Sequence, residues 1–312
     1  SVLNEKINTD DNLICVSRPR RFGKTMAANM IAAYYSKGCD SHEVFSSLKI
    51  SKDPSFEENI NRYTVIKLDI NGAATGKGDK TIVQYYNENV VPELMKAYPD
   101  VALSSDMSLA KALVSIYEET GDKFVFIIDE YDVIIRDQEY SSEIKGYLTF
   151  LVSLFKNSVV SPAIALSYLT GIMPIIKDKT QSGLNNFTEY TMVDADDMAP
   201  FMGFIEEEVQ SLAQKSGMAF DELKRWYDGY SLKGEKIYSP KSIVDAVEYH
   251  ECDGYWTQTS SYEAVTDYIS LDLDGLKDDV VSMLSGNRVE VSTSFYRNTM
   301  SFDTKDDVLT YL

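Results

Sequence analysis

Apolar residues in this chain fall into short blocks of two alternating kinds. Leu13–Val16, Thr64–Leu68, Phe124–Ile128, Ala163–Leu169 and Thr188–Val193 have strand length, and the third is apolar throughout, as in a strand buried on both faces. The stretches between them have helical spacing. Gly23–Tyr35 repeats Ala27, Met30, Ile31 and Tyr34 along one face, Ile82–Tyr98 is helical but interrupted by Pro92, Leu109–Glu119 stops at Gly121, and Ser142–Ser158 completes the set. Strand alternating with helix predicts an α/β fold, a mostly parallel sheet of about five strands covered by helices on both faces. Beyond residue 195 the buried strands stop. Gly203–Ser216, Ala219–Tyr227 and Pro240–His250 read as amphipathic helices, and 251–312 mixes short helical stretches with a β-like run at Val289–Ser294. The expected domains are a core over 1–195, a helical lid over 196–250, and a small helical or winged-helix-like module over 251–312 that begins a longer C-terminal region.

Composition narrows the class of protein. Of the 312 residues, 44% are hydrophobic and 25% charged, the balance of a globular chain with a sizeable core. No run approaches the ~18 apolar residues that a membrane helix needs, and the polar start Ser1–Asp10 lacks the features of a secretory signal. The first residue is not Met and the last residues, Asp306–Leu312, read as helix, so the chain reads as a window from a longer protein. A formal charge of −19 disfavours nonspecific binding to a phosphate backbone, with Arg18, Arg20 and Arg21 as the one local exception. Cys15, Cys39 and Cys252 are far apart and lack metal-ligand spacing, so they read as free thiols of a reducing cytoplasm. The two histidines, His42 and His250, sit beside no nucleophile motif, which disfavours a hydrolase built on a histidine base.

The chemistry concentrates at two strand ends. Ser17–Thr25, reading SRPRRFGKT, follows the first strand and opens the first long helix. In a phosphate-binding loop the backbone N–H groups and the positive helix end cradle phosphates, the lysine reaches the β- and γ-phosphates, and the following hydroxyl ligates Mg²⁺. Lys24 and Thr25 take those roles here, with Arg18, Pro19, Arg20, Arg21, Phe22, Gly23 and Met26 completing the nucleotide-binding stretch. Arg18 stands where the pattern has its first glycine. Phe124–Asp132, reading FVFIIDEYD, delivers two acids to the carboxyl edge of the sheet, where ligands of open α/β sheets bind. Asp129 would hold Mg²⁺ and Glu130 would orient and deprotonate the attacking water, while Asp132 suits a supporting or surface position. At the end of the next strand, Thr170 either senses the γ-phosphate or caps the strand-to-loop turn. A calcium loop at Leu271–Gly275 is discarded because Val281 stands where its last ligand must be Glu. The acids Glu206–Glu208 read as a helix start favoured by the macrodipole.

Arg18–Thr25 (RPRRFGKT), Ile128–Asp132 (IDEYD), Leu169–Ile172 (LTGI), Ser182–Phe187 (SGLNNF) and Trp226–Tyr230 (WYDGY), in this order, resemble the predicted AAA-type ATPase family of bacteria and archaea over roughly residues 10–250. In that family the loop usually reads RPRRFGKT, so Arg18 agrees with it. The resemblance implies an additional-strand P-loop fold with a helical lid, often followed by a PD-(D/E)XK-type nuclease domain. A segment containing YVDK usually precedes the first strand, which this chain starts too late to show, and no clear nuclease motif appears before Leu312. Ser182–Phe187 lies near the nucleotide or forms a structural turn on Gly183. Trp226–Tyr230 ends a lid helix at Gly229, and Arg225 either points at the γ-phosphate or is a solvated helix position.

The leading expectation is therefore an ATP- and Mg²⁺-dependent ATPase, with catalytic Glu130, Lys24 and Thr170, that switches a partner or effector domain. No guanine-reading NKxD motif follows the last strand, which favours ATP over GTP. Two alternatives stand beside it: an ATP-binding regulatory module with little hydrolysis, and a nucleic-acid-associated module coupled to a nuclease. Self-association or a C-terminal effector domain are the partners in view, with nucleic acid reached only through regions outside the ATPase core and no membrane.

Overall fold

A computed structural model describes residues 1–175, 182–255, 273–292 and 304–311. The chain forms two units, the first comprising Ser1–Ile175 and Gly183–Met198, the second the described residues from Ala199 onward. The first unit is built on five parallel strands, β1 (Leu13–Ser17), β2 (Thr64–Asp69), β3 (Phe124–Asp129), β4 (Ile164–Gly171) and β5 (Thr188–Tyr190), in the spatial order β2-β3-β4-β1-β5. This is the sheet expected of an α/β P-loop fold, with β4 inserted between β1 and β3. The insertion brings the three strand ends of interest side by side: Ser17 pairs in register with Gly171, and Asp129 with both Thr170 and Asp69. β3 and β4 are buried along their whole length, which accounts for their continuous apolar runs.

The connecting helices of this unit are α1 (Val2–Lys6), α2 (Lys24–Tyr35), α3 (His42–Ser46), α4 (Phe56–Asn59), α5 (Ile70–Gly76), α6 (Ile82–Ala97), α7 (Leu109–Thr120), α8 (Val133–Arg136) and α9 (Ile144–Phe155). The short α3, α4, α5 and α8 have too few turns to show a period in sequence. Pro92 does not interrupt α6. It forgoes one backbone hydrogen bond, but Ile82, Tyr86, Val91 and Leu94 bury one side of the helix, and a capping box between Thr81 and Gln84 fixes its start. α7 stops where expected, on Gly121 at φ +73°.

The second unit differs from the helical lid of the sequence reading. Its helices α10 (Glu206–Ser216), α11 (Phe220–Tyr227) and α12 (Pro240–Tyr249) lie where expected, but a three-stranded antiparallel sheet accompanies them, ordered β6-β8-β7 from β6 (Phe204–Ile205), β7 (Asp228–Leu232) and β8 (Glu235–Tyr238). The sheet explains why α11 ends at Tyr227 rather than at Gly229, which lies inside β7. Lys233 and Gly234, both at positive φ, turn β7 into β8. Half-buried alternation in strands this short resembles helix-end chemistry in sequence, so they went unread. Val209, Ala213, Leu223, Tyr238, Ile243 and Ala246 form the core. Glu208 accepts from the Ile205 N–H, so the acid run does start a helix. Of the expected 251–312 module, helices at Leu276–Leu284 and Lys305–Tyr311 are present. Residues 289–292 form no strand; the rest of the β-like run, 293–294, lies outside the described residues, as does most of what a winged-helix-like module would need.

Candidate functional site

At the end of β1 the chain turns into a loop and then into α2, whose N-cap is Gly23 at φ +71°. Arg21 also has positive φ, +69°, so left-handed residues recur in the approach to the helix, the kind of backbone that forms anion-binding concavities. Arg18 is absent from the positive-φ residues. The backbone there makes no demand for glycine, and the departure from the GxxxxGK[ST] pattern carries no conformational strain. The Arg18 side chain is 4% exposed and donates to the Tyr168 hydroxyl on β4 at 3.2 Å, and its N–H donates to the Gly171 carbonyl. Arg18 therefore acts as the root of the loop.

Lys24 is the first residue of α2 and is 7% exposed. Its ammonium folds back over the loop and donates to the carbonyls of Arg18 at 3.1 Å and Pro19 at 2.9 Å. Burial lowers its pKa to about 8, against the upward pull of Asp132, Glu130 and Asp129, while Arg18 pushes it further down. A largely desolvated cation at a helix N-terminus, held by two loop carbonyls, suits an incoming polyphosphate.

The acids stand at the end of β3. Asp129 is 3% exposed, and its Oδ1 has no hydrogen-bond partner. Leaving a buried carboxylate oxygen unsatisfied costs on the order of 1–3 kcal/mol or more, so the oxygen is suited to a ligand. No group of three or more metal-ligating side chains exists among the described residues. Mg²⁺ typically takes one or two carboxylates and completes its shell with phosphates and water. Glu130 leaves the strand in the left-handed region at φ +52°, a conformation that favours glycine. It is half-buried, and burial raises its carboxyl above the usual range, with Arg136 and Lys24 opposing and Asp129 and Asp132 adding to the rise. A carboxylate with raised pKa is better matched to accepting a proton near neutrality.

The expected site residues divide on inspection. Asp129 and Glu130 stand at the end of β3 and Lys24 opens α2 after β1, close enough for their charges, and that of Asp132, to act on one another. Thr25, Arg20, Arg21 and Met26 are exposed around the loop, Met26 at 65%, and Pro19 is half-buried. Phe22 is buried in the core, so only its backbone lines the cradle. Thr170, expected either to sense the γ-phosphate or to cap the strand-to-loop turn, is fully buried and donates its hydroxyl to the Val16 carbonyl at 3.1 Å. Asp132, expected on the surface or in support, is 1% exposed and accepts from the N–H groups of Ile172 and Met173 and from Arg136. Arg225 is an exposed residue of α11 in the second unit. Ser182–Leu184 forms a single helical turn, and Asn186 donates to the Phe155 carbonyl, which supports the structural reading of SGLNNF. Tyr168 was missed altogether; a tyrosine within an apolar run gives no sign that its hydroxyl serves an arginine.

Residues 2–180 match the family described as predicted AAA-ATPase. A curated relative, an uncharacterized protein in the vnfD 5′ region of Azotobacter chroococcum mcd 1, is 24% identical over 261 residues, which is 82% of this chain. The chain spans 49% of that relative's length.

Proposed function

The chain belongs to the predicted AAA-ATPase family, and from that premise we propose that it binds ATP with Mg²⁺ at the β1 and β3 strand ends, hydrolyses it, and so switches a partner or effector domain. One observation carries the reading. At the carboxyl edge of a parallel sheet, a buried lysine whose ammonium donates to its own loop's carbonyls lies in the field of Asp132, Glu130 and Asp129. On binding, the Lys24 ammonium leaves the Arg18 and Pro19 carbonyls for the phosphates, and the N–H groups around Gly23 receive the oxygens. Thr25 and Asp129 would hold Mg²⁺, which supplies charge neutralisation for the transferring phosphoryl group. Glu130, with its raised pKa, orients a water and accepts its proton. Thr170 keeps the edges of β1 and β4 together as a positioning residue.

A titration of the protein with a fluorescent ATP analogue and Mg²⁺ tests the reading. Lys24→Ala should abolish most of the affinity while leaving the circular dichroism spectrum intact. Unchanged affinity in that variant would reject the loop as the nucleotide site. The alternative of a regulatory module with little hydrolysis draws on the buried Arg18, which ties the loop to β4; binding without turnover would select it.

A further inference from the structure

The residues that leave β4 form a crossbar over the carboxyl edge of the sheet. The crossbar begins at Gly171, whose carbonyl accepts from the Arg18 N–H at the root of the loop. Its next residues, Ile172 and Met173, donate their N–H groups to Asp132 Oδ2 at 3.1 and 3.0 Å. The Met173 carbonyl accepts from the Tyr131 hydroxyl at 2.7 Å and from Ser17 Oγ at 2.9 Å. Pro174 follows, with its φ fixed by the ring, and the Ile175 N–H donates to Glu189 on β5. Four neighbouring strand ends, those of β3, β4, β1 and β5, are thereby joined by one segment.

Asp132 pins the β3 side of this crossbar. It lies two residues after Glu130, in the turn held by the Tyr131 N–H on the Thr170 carbonyl and the Val133 N–H on the Glu130 carbonyl. Arg136 closes the other side of its Oδ2 at 3.1 Å. There is no slack for the pin to shift toward β4: a Cβ at Gly171 would stand 2.5 Å from Asp132 Oδ1 and 2.8 Å from the Tyr131 ring. The turn that aims Glu130 and the strand that roots the phosphate loop are thus registered to each other through one buried carboxylate.

We propose that Asp132 is a positioning residue for hydrolysis, holding Glu130 in line with the phosphate loop through the 171–175 crossbar. The inference rests on the ATPase reading above. Asp132 Oδ2 is taken up by the crossbar amides and Arg136, while its buried Oδ1 makes no hydrogen bond; on this proposal its loss misplaces the base while leaving the loop's own contacts to the phosphates.

The test compares kcat, KM and analogue affinity in the full chain for wild type, Asp132→Asn and Tyr131→Phe. At pH 6, where Lys24 stays protonated even after losing the pull of the Asp132 charge, Asp132→Asn should lower kcat about 100-fold while KM and affinity stay within about threefold, because small misplacement of a reacting group acts on the transition state. Tyr131→Phe removes a single crossbar tie and should lower kcat about fivefold with the same split. Wild-type kcat in Asp132→Asn, or a parallel loss of affinity and kcat, would overturn the inference and leave the ATPase reading standing. Should Asp132→Asn not fold, unchanged kcat in Tyr131→Phe overturns it equally. A wild-type chain that binds and hydrolyses no ATP removes the ATPase reading and this inference together.

Discussion

Replacing Lys24 with methionine tests the electrostatics of the site in one variant. Lys24 is 7% exposed, and burial brings its pKa down from the usual 10.5 to about 8. A native pKa below the unfolded one means that the unfolded chain binds more protons between these two values, so stability rises with pH across that window. Below pH 8 the folded state carries the whole penalty, about 3 kcal/mol from the size of the shift. Methionine has similar length and no charge, so Lys24→Met should be more stable than wild type at pH 7 by about 1–3 kcal/mol, the lower figure allowing for the two carbonyls it abandons. The gap should close as pH approaches 10.5. Nucleotide affinity should move the other way. If bound phosphates restore the lysine's ordinary pKa, wild-type Kd for ATP weakens about 30-fold between pH 7 and 9.5, since free protein then holds Lys24 neutral. Lys24→Met should bind weakly and without that pH dependence. Urea denaturation followed by circular dichroism, and analogue titrations across the same pH range, measure the two effects. A methionine variant less stable than wild type at pH 7, or a wild-type affinity flat to pH 9.5, would refute the reasoning.

The remaining predictions concern other parts of the edge. Glu130→Gln should bind ATP and Mg²⁺ normally and hydrolyse about 10²–10⁴-fold more slowly in single-turnover assays, whereas Asp129→Asn should weaken the Mg²⁺ dependence of binding. Gly171→Ala forces a methyl to within 2.5 Å of Asp132 Oδ1, and thermal denaturation should show a loss of about 1–3 kcal/mol. Turnover by the dilute chain should stay below about 1 s⁻¹ and rise with protein concentration or in a longer protein, because P-loop enzymes gain about 10³–10⁵-fold from a positioned arginine. Arg136 is tied to Asp132 and Asp137, and Arg18 to Tyr168; steady-state assays over a concentration series check this.

Much of the molecule could be read along the chain because its determinants are local. A strand buried on both faces must be apolar throughout, so Phe124–Ile128 announced itself, and a glycine-lysine-threonine between strand and helix marks a candidate phosphate loop. Gly121 marked a helix end for the same reason, since only its own backbone is involved. Tertiary structure decided what depends on neighbours far away in sequence. The insertion of β4 between β1 and β3 sets Thr170 against Val16, 154 residues earlier, and turns its hydroxyl inward. Arg18 could replace glycine because the backbone there never enters the left-handed region and because Tyr168 waited for its side chain. Along the chain Asp132 suits either a supporting or a surface position; two amide donors from beyond β4 decide for the buried, supporting one. A lone carboxylate in sequence carries no sign of its donors, since they belong to backbone that only the folded sheet brings within reach.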